Sequence, residues 1–276
     1  MIIQRCAILV AGVLLALITP PLGARAGELD LTGSLSNFTS PTPLGPWGNV
    51  TLTDREVLRY DTPGLALVDQ IDGGGVGATH SLGFVLDDYH TFSPRFFVYA
   101  AFGLANGAAL PTHNAYLEGD MKFGAALQTV IGLGAGTVLN PDGTVQNYLN
   151  VGPTWYHNNF NVTLRWLPSF TAGRSGASTG IVTLADGEAG KTVSTLTLLG
   201  GSSPPYGIVT LQAPSAIGQR VLFAGIDVKH WVNPKGGFHV GFEYQHLTDA
   251  TTGNVLYVQR TVVLGVFRQI GPGPAP

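Results

Sequence analysis

Cysteine is almost missing from this 276-residue chain, with Cys6 the one thiol. A disulfide framework and a cysteine metal site are therefore excluded. Cys6 also precedes the first apolar run, whereas a lipid-anchored cysteine would follow it directly. Charge is scarce too: Asp, Glu, Lys and Arg supply 11% of the residues, against the ~25% usual in soluble domains. The formal net charge of −3 gives no basic footprint for nucleic acid.

Long apolar runs are also few. Residues 6–18 form one, and it is shorter than the ~20 residues that a bilayer-spanning helix needs. Arg5 stands before it, Pro20-Pro21 breaks it, and Ala24-Arg25-Ala26 follows, which is the layout of a secretory signal helix cleaved after Ala26. Residues 27–270 then make one domain, and 271–276 a frayed Pro/Gly tail. No internal repeat of ~20 to 50 residues is present. An apolar, exported chain without spanning helices leaves two architectures: a large β-sandwich, or a barrel whose outside is wetted by lipid.

Metal and nucleotide chemistry lack their motifs. The seven histidines, His80, His90, His113, His157, His230, His239 and His246, include no HxxxH or HExxH pair, so no metal site and no cofactor are expected. Gly187-Glu188-Ala189-Gly190-Lys191-Thr192 resembles the end of a phosphate-binding loop. That loop needs four residues between its glycines and a helix after it, and here two intervene before a β-rich Val193-Ser194-Thr195-Leu196-Thr197. His80-Ser81 brings a nucleophile and a base together in sequence, but neighbours on a strand point to opposite faces.

Glycine (38) and proline (18) are plentiful, and turn sequences such as Asn140-Pro141-Asp142-Gly143 and Asn233-Pro234-Lys235-Gly236-Gly237 punctuate Val-, Thr-, Phe- and Tyr-rich segments. Those segments alternate. Phe160, Val162, Leu164 and Trp166 oppose Asn161, Thr163 and Arg165, and Phe238, Val240, Phe242 and Tyr244 oppose His239, Gly241, Glu243 and Gln245. Leu117, Met121 and Phe123 oppose Glu118, Asp120 and Lys122, while Leu222, Ala224, Ile226 and Val228 oppose Gly225, Asp227 and Lys229.

A soluble sandwich alternates as well, so two further features decide. The polar positions are often Gly, Ser, Thr, Asn or Gln rather than Lys and Glu, as in Ile131-Gly132-Leu133-Gly134-Ala135-Gly136, which suits a shared lumen. Aromatic residues gather near segment ends, at Trp155-Tyr156, Trp166, Trp231, Tyr244 and Tyr257, as in interfacial girdles. The expected fold is all-β, a single antiparallel up-and-down transmembrane β-barrel of about 12 strands (range 10 to 14), each of ~9 to 11 residues. Residues 172–191 read as a loop with a short hairpin at 181–184, and 200–205 as another loop; the prolines at Pro41, Pro43 and Pro46 argue against a strand interior there.

The stretch from His80-Ser81-Leu82-Gly83-Phe84 through Tyr99-Ala100-Ala101-Phe102-Gly103, Tyr116-Leu117-Glu118-Gly119-Asp120 and Leu133-Gly134-Ala135-Gly136 to Gly152-Pro153-Thr154-Trp155-Tyr156 resembles the YaiO family of outer-membrane β-barrels. That resemblance implies architecture and a bacterial outer-membrane location, with no defined chemistry to carry over. The expected partners are outer-membrane lipids and the barrel-assembly machinery, which would meet an internal Phe267 rather than a terminal aromatic, with polysaccharide-export components as a further candidate.

If the apolar rows face lipid, Glu118, Asp120, Lys122, Arg165, Asp227, Lys229, His239 and Glu243 face the lumen. Two readings stay open. They could pair into a salt-bridge network that plugs a narrow barrel, or form a charged constriction that selects small polar solutes. The functional expectations are accordingly a non-enzymatic envelope or export-accessory barrel, a passive channel, or a lipid-modifying barrel enzyme.

Overall fold

A computed structural model describes residues 26–41, 44–74, 77–107, 110–171, 176–202 and 219–271. The expected signal helix lies outside them except for Ala26, which opens the first strand, and so does the tail beyond Gly271. Fourteen strands are present: β1 (Ala26–Thr39), β2 (Leu44–Val57), β3 (Gly64–Gly74), β4 (Gly77–Ser93), β5 (Phe96–Ala105), β6 (His113–Phe123) and β7 (Thr129–Leu139), then β8 (Val145–His157), β9 (Phe160–Thr171), β10 (Ala177–Glu188), β11 (Thr192–Gly201), β12 (Gln219–Asn233), β13 (Gly236–Asp249) and β14 (Val255–Ile270). Each pairs antiparallel with its sequence neighbours, and β1 closes on β14. Closure leaves no strand edge, so the ladder groups find partners within the sheet apart from local irregularities such as those between β8 and β9.

The count corrects the expectation of about 12 strands. Residues 177–188, read as part of a loop, form β10, paired with β9 and β11. Its sequence ASTGIVTLADGE is too rich in small residues to announce a strand, yet Val182 and Leu184 supply an outward apolar row. β11 likewise runs through Gly200 and Gly201. Pro46 does sit inside β2, at the point where the register slips between Leu44 and Trp47, a bulge at which no ladder donor is needed.

The inner face is identified by contacts between strands that are not neighbours, which only the concave side of a closed sheet can make. Lys229 on β12 meets Glu28 on β1 over β13 and β14. Arg165 on β9 meets Glu118 on β6 over β7 and β8. Alternation then assigns the opposite row to the outside, where Leu133 (63% exposed), Leu264 (58%) and Trp166 (55%) are largely uncovered. Phe160, Val162 and Leu164 share that face. A continuous exposed apolar band around a closed barrel is stable in acyl chains and not in water.

The two ends differ. The end carrying both termini has the connections 58–63, 94–95, 124–128, 158–159, 189–191 and 234–235, none longer than six residues, whereas the other end has 40–43, 75–76, 106–112, 140–144, 172–176, 202–218 and 250–254, the longest of 17. These are called the terminal end and the loop end below.

Candidate functional site

All eight sequence-predicted lumen residues fall on the inward register: Glu118, Asp120 and Lys122 on β6, Arg165 on β9, Asp227 and Lys229 on β12, and His239 and Glu243 on β13. The barrel gathers them into two groups on opposite walls, because β7 and β14 lie half a circuit apart in the strand order.

The first group is held against β7, whose central inward positions, Gly132, Gly134 and Gly136, are glycines. Gly132 leaves room for Asp120 Oδ1 and Arg165 Nη2, which would stand 2.8 and 3.1 Å from a Cβ placed there. Arg165 Nη2 donates to Glu118 Oε1 at 3.1 Å and Nη1 to the Gly152 carbonyl at 2.8 Å. The Tyr116 hydroxyl donates to Glu118, and Asn150 Nδ2 donates to Glu118 Oε2 at 2.8 Å. Gly136 sits in register between Tyr116 and Tyr148, and with no side chain there the two rings stack across the strand, centroids 5.8 Å apart and planes 10° from parallel. Lys122 stays out of this network and lies 5.3 Å from the centre of the Phe97 ring.

The second group spans β12, β13, β14 and β1. Lys229 Nζ donates to Glu28 at 2.5 Å and lies over the Phe267 ring at 4.2 Å, with Trp231 edge-on to that ring. His239 stands between Asp30 and Asp227, 3.3 Å from each. Glu243 has no ion pair among the described residues.

Sequence reading missed how much of the lumen is filled. Tyr99, Ala101, Tyr116, Val138, Tyr148 and Leu167 form a buried cluster on the inner face of β5 to β9. Ala66, Val68 and Val85 bury Leu110, which the 106–112 connection carries inward from the loop end. Segments such as FFVYAAFGLA in β5 are apolar on both faces, so alternation could not flag them. By contrast, Thr183 on β10, Thr195 and Thr197 on β11, and Asn49, Thr51 and Thr53 on β2 also point inward and stay part-exposed. The inner face is thus packed along β5 to β9, whereas on the other half part-exposed threonines and Asn49 alternate with buried inward residues, Val221, Leu247, Thr261, Phe267 and Ser36 among them.

The aromatic residues expected in girdles divide. Trp155, Trp166 and Tyr244 face outward, while Tyr156, Trp231 and Tyr257 face inward. Phe38, Trp47 and Tyr257 cluster inside the loop end, with Phe38 4.6 Å from Trp47 and 5.4 Å from Tyr257 between ring centres. Phe267 is also inside, against Trp231.

His80 and Ser81 lie on opposite faces: Ser81 is fully buried on the lumen side, and His80 bonds Asp69 at 2.5 Å on the outer face. At the terminal end, Asp61, Asp88 and His90 bring possible ligand atoms within 4.8 Å of one another. There Asp61 bonds His90 and Asp88 accepts from the Thr62 amide, so the cluster closes the turn between β2 and β3 onto β4.

A closed 14-stranded antiparallel ring with an apolar exterior and a partly polar interior defines a transmembrane β-barrel of the bacterial outer-membrane type. Residues 45–205 match the model of the YaiO membrane beta barrel domain, and the chain belongs to that family. No curated protein matches it in sequence. Among solved structures it is similar to the outer membrane protein Omp33 of Acinetobacter baumannii, at 9% identity and a TM-score of 0.52, covering 90% of this chain and 100% of that one. A bacterial polysaccharide outer membrane secretin (8%, TM-score 0.51, 89% and 99% covered) and a mutant of the monoaromatic hydrocarbon channel TodX (9%, TM-score 0.51, 93% and 92% covered) share the fold as well. At such identities the likeness concerns the fold alone.

Proposed function

We propose that this outer-membrane barrel is a passive channel for small polar solutes, with its loop end outside the cell and its terminal end in the periplasm. Short periplasmic turns and longer outer connections are the rule for such barrels, which supports the orientation. The observation that carries the channel reading is the patch of inward Thr183, Thr197 and Thr195, part-exposed inside a closed ring while Thr179, two inward positions along β10 beyond Ile181, is buried. Water-accessible hydroxyls along one wall describe a narrow hydrated passage beside a packed one. Its hydroxyls lie beside the inward Ile181, Leu199 and Phe223, and they suit small hydrophilic solutes.

Reconstitution in planar bilayers tests this. The expected result is stepwise single-channel conductance from the folded barrel. Silence at every voltage would overturn the channel reading in favour of an envelope-structural or export-accessory barrel.

A further inference from the structure

The inward charges are not balanced equally around the ring. On the packed wall Glu118 pairs with Arg165, and Asp120 and Lys122 add one acid and one base, so the formal charges sum to zero there. Across the lumen, Lys229 is the one Lys or Arg among the described inward residues of β12, β13, β14 and β1, and it is already engaged by Glu28. Asp30 and Asp227 share a single His239, and Glu243 has no cationic partner. Even with His239 protonated, this wall keeps an uncompensated negative charge.

That wall flanks the hydrated side. β12 pairs with β11, whose Thr195 lies in register with Asp227, and Thr197 with Gly225, which in turn is in register with Glu243. The part-exposed threonines and the surplus carboxylates therefore line the same half of the lumen. We infer that the passage along β10 to β1 selects small cations over anions, with Glu243 as its principal selectivity-determining residue. This rests on the channel reading.

The physical ground is that a low-dielectric barrel wall confines the field of an unpaired charge to the water inside, which concentrates counter-ions and excludes co-ions. A unit charge ~7 Å from a passing ion in water is worth about RT, so removing one changes the cation-to-anion ratio by about threefold once screening over ~10 Å is allowed for. Neutralising Glu243 should do this without disturbing folding, because no ion pair depends on it.

The experiment is a reversal-potential measurement in a KCl gradient across planar bilayers, on the unaltered barrel and on Glu243→Gln. Heat-modifiable gel migration establishes that the variant is folded. The expected results are a potassium preference in the unaltered barrel and a fall in the K+/Cl− permeability ratio of about threefold in the variant. A chloride preference, or a ratio unmoved by Glu243→Gln in a folded barrel, would overturn the inference while leaving a channel in place. Absence of current in both proteins would remove the channel reading itself, and this inference with it.

Discussion

Arg165 on β9 and Glu118 on β6 meet at 3.1 Å over two intervening strands, which is possible because the inward positions between them, Gly132 and Gly152, carry no side chain. The pair is well buried, with side-chain exposures of 15% for Arg165 and 9% for Glu118. Breaking one half of such a pair leaves the other charge in a poorly solvated place, at a cost of ~3 to 5 kcal/mol, whereas replacing both by neutral groups of similar size is far less costly. Arg165→Met should thus lower the temperature of the heat-modifiable transition markedly, and adding Glu118→Gln to it should restore much of the loss. Equal losses in the single and double variants would show that the pair is not coupled in this way.

The Tyr116–Tyr148 stack depends on the bare backbone at Gly136. A Cβ there would overlap the Tyr148 ring, so Gly136→Val must displace one or both rings. Overpacking of this kind costs ~1 to 3 kcal/mol. Gly124, in the turn after β6, has open space around a Cβ but a φ of 86°, so a substitution there tests backbone strain rather than space. Comparative unfolding of the folded barrels in urea separates the two causes: Gly136→Val should lose stability through displaced tyrosines, visible as a changed tyrosine fluorescence, while Gly124→Ala should leave that signal unchanged.

Leu110, between β5 and β6, packs fully buried against the inward Ala66, Val68 and Val85. Leu110→Asp puts a charge into that apolar contact, and the segment should withdraw from it. On the channel reading, unitary conductance rises in the variant. A conductance that is unchanged or reduced in a properly folded barrel would mean that the passage does not run past this segment.

Much of the architecture was readable from the chain because lipid and lumen impose opposite demands on alternate residues. The rows Phe160, Val162, Leu164, Trp166 and Asn161, Thr163, Arg165 separate by polarity, and the barrel places them on opposite faces. The inward charges were readable for the same reason. Four things were not. β10 hid because its lumen face needs only small residues, which in sequence look like a loop. The inward aromatic residues Trp231 and Tyr257 looked like girdle residues because both classes sit near strand ends, and strand position alone does not state the face. The packed wall of β5 to β9 was invisible because apolar lumen residues next to apolar lipid-facing ones abolish the alternation that marks a barrel strand. The pairing of Arg165 with Glu118 needed closure of the ring, which no local pattern carries.

Polarity should be tolerated very unequally on the two faces of one region. Leu164 points outward near the middle of β9, and Leu164→Arg should cost ~2 to 4 kcal/mol of folding stability in lipid vesicles. Thr197→Lys, directed into the hydrated half of the lumen, should fold at little cost and change conductance instead. Similar losses in both variants would indicate that the two faces meet similar surroundings.

Acyl chains against the apolar rows and water against the inward threonines are what a membrane-spanning barrel requires, and the chain's single cysteine, Cys6, precedes the first strand. Cysteines introduced one at a time at Val162, Leu164, Thr183 and Thr197 can carry a spin label in the reconstituted barrel. The most direct measurement compares collision of each label with oxygen, which concentrates in lipid, against a water-soluble nickel chelate. Labels at 162 and 164 should respond to oxygen, and those at 183 and 197 to the chelate. The reverse pattern, or labels at 162 and 164 shielded from both reagents by a second sheet, would contradict a membrane-spanning barrel.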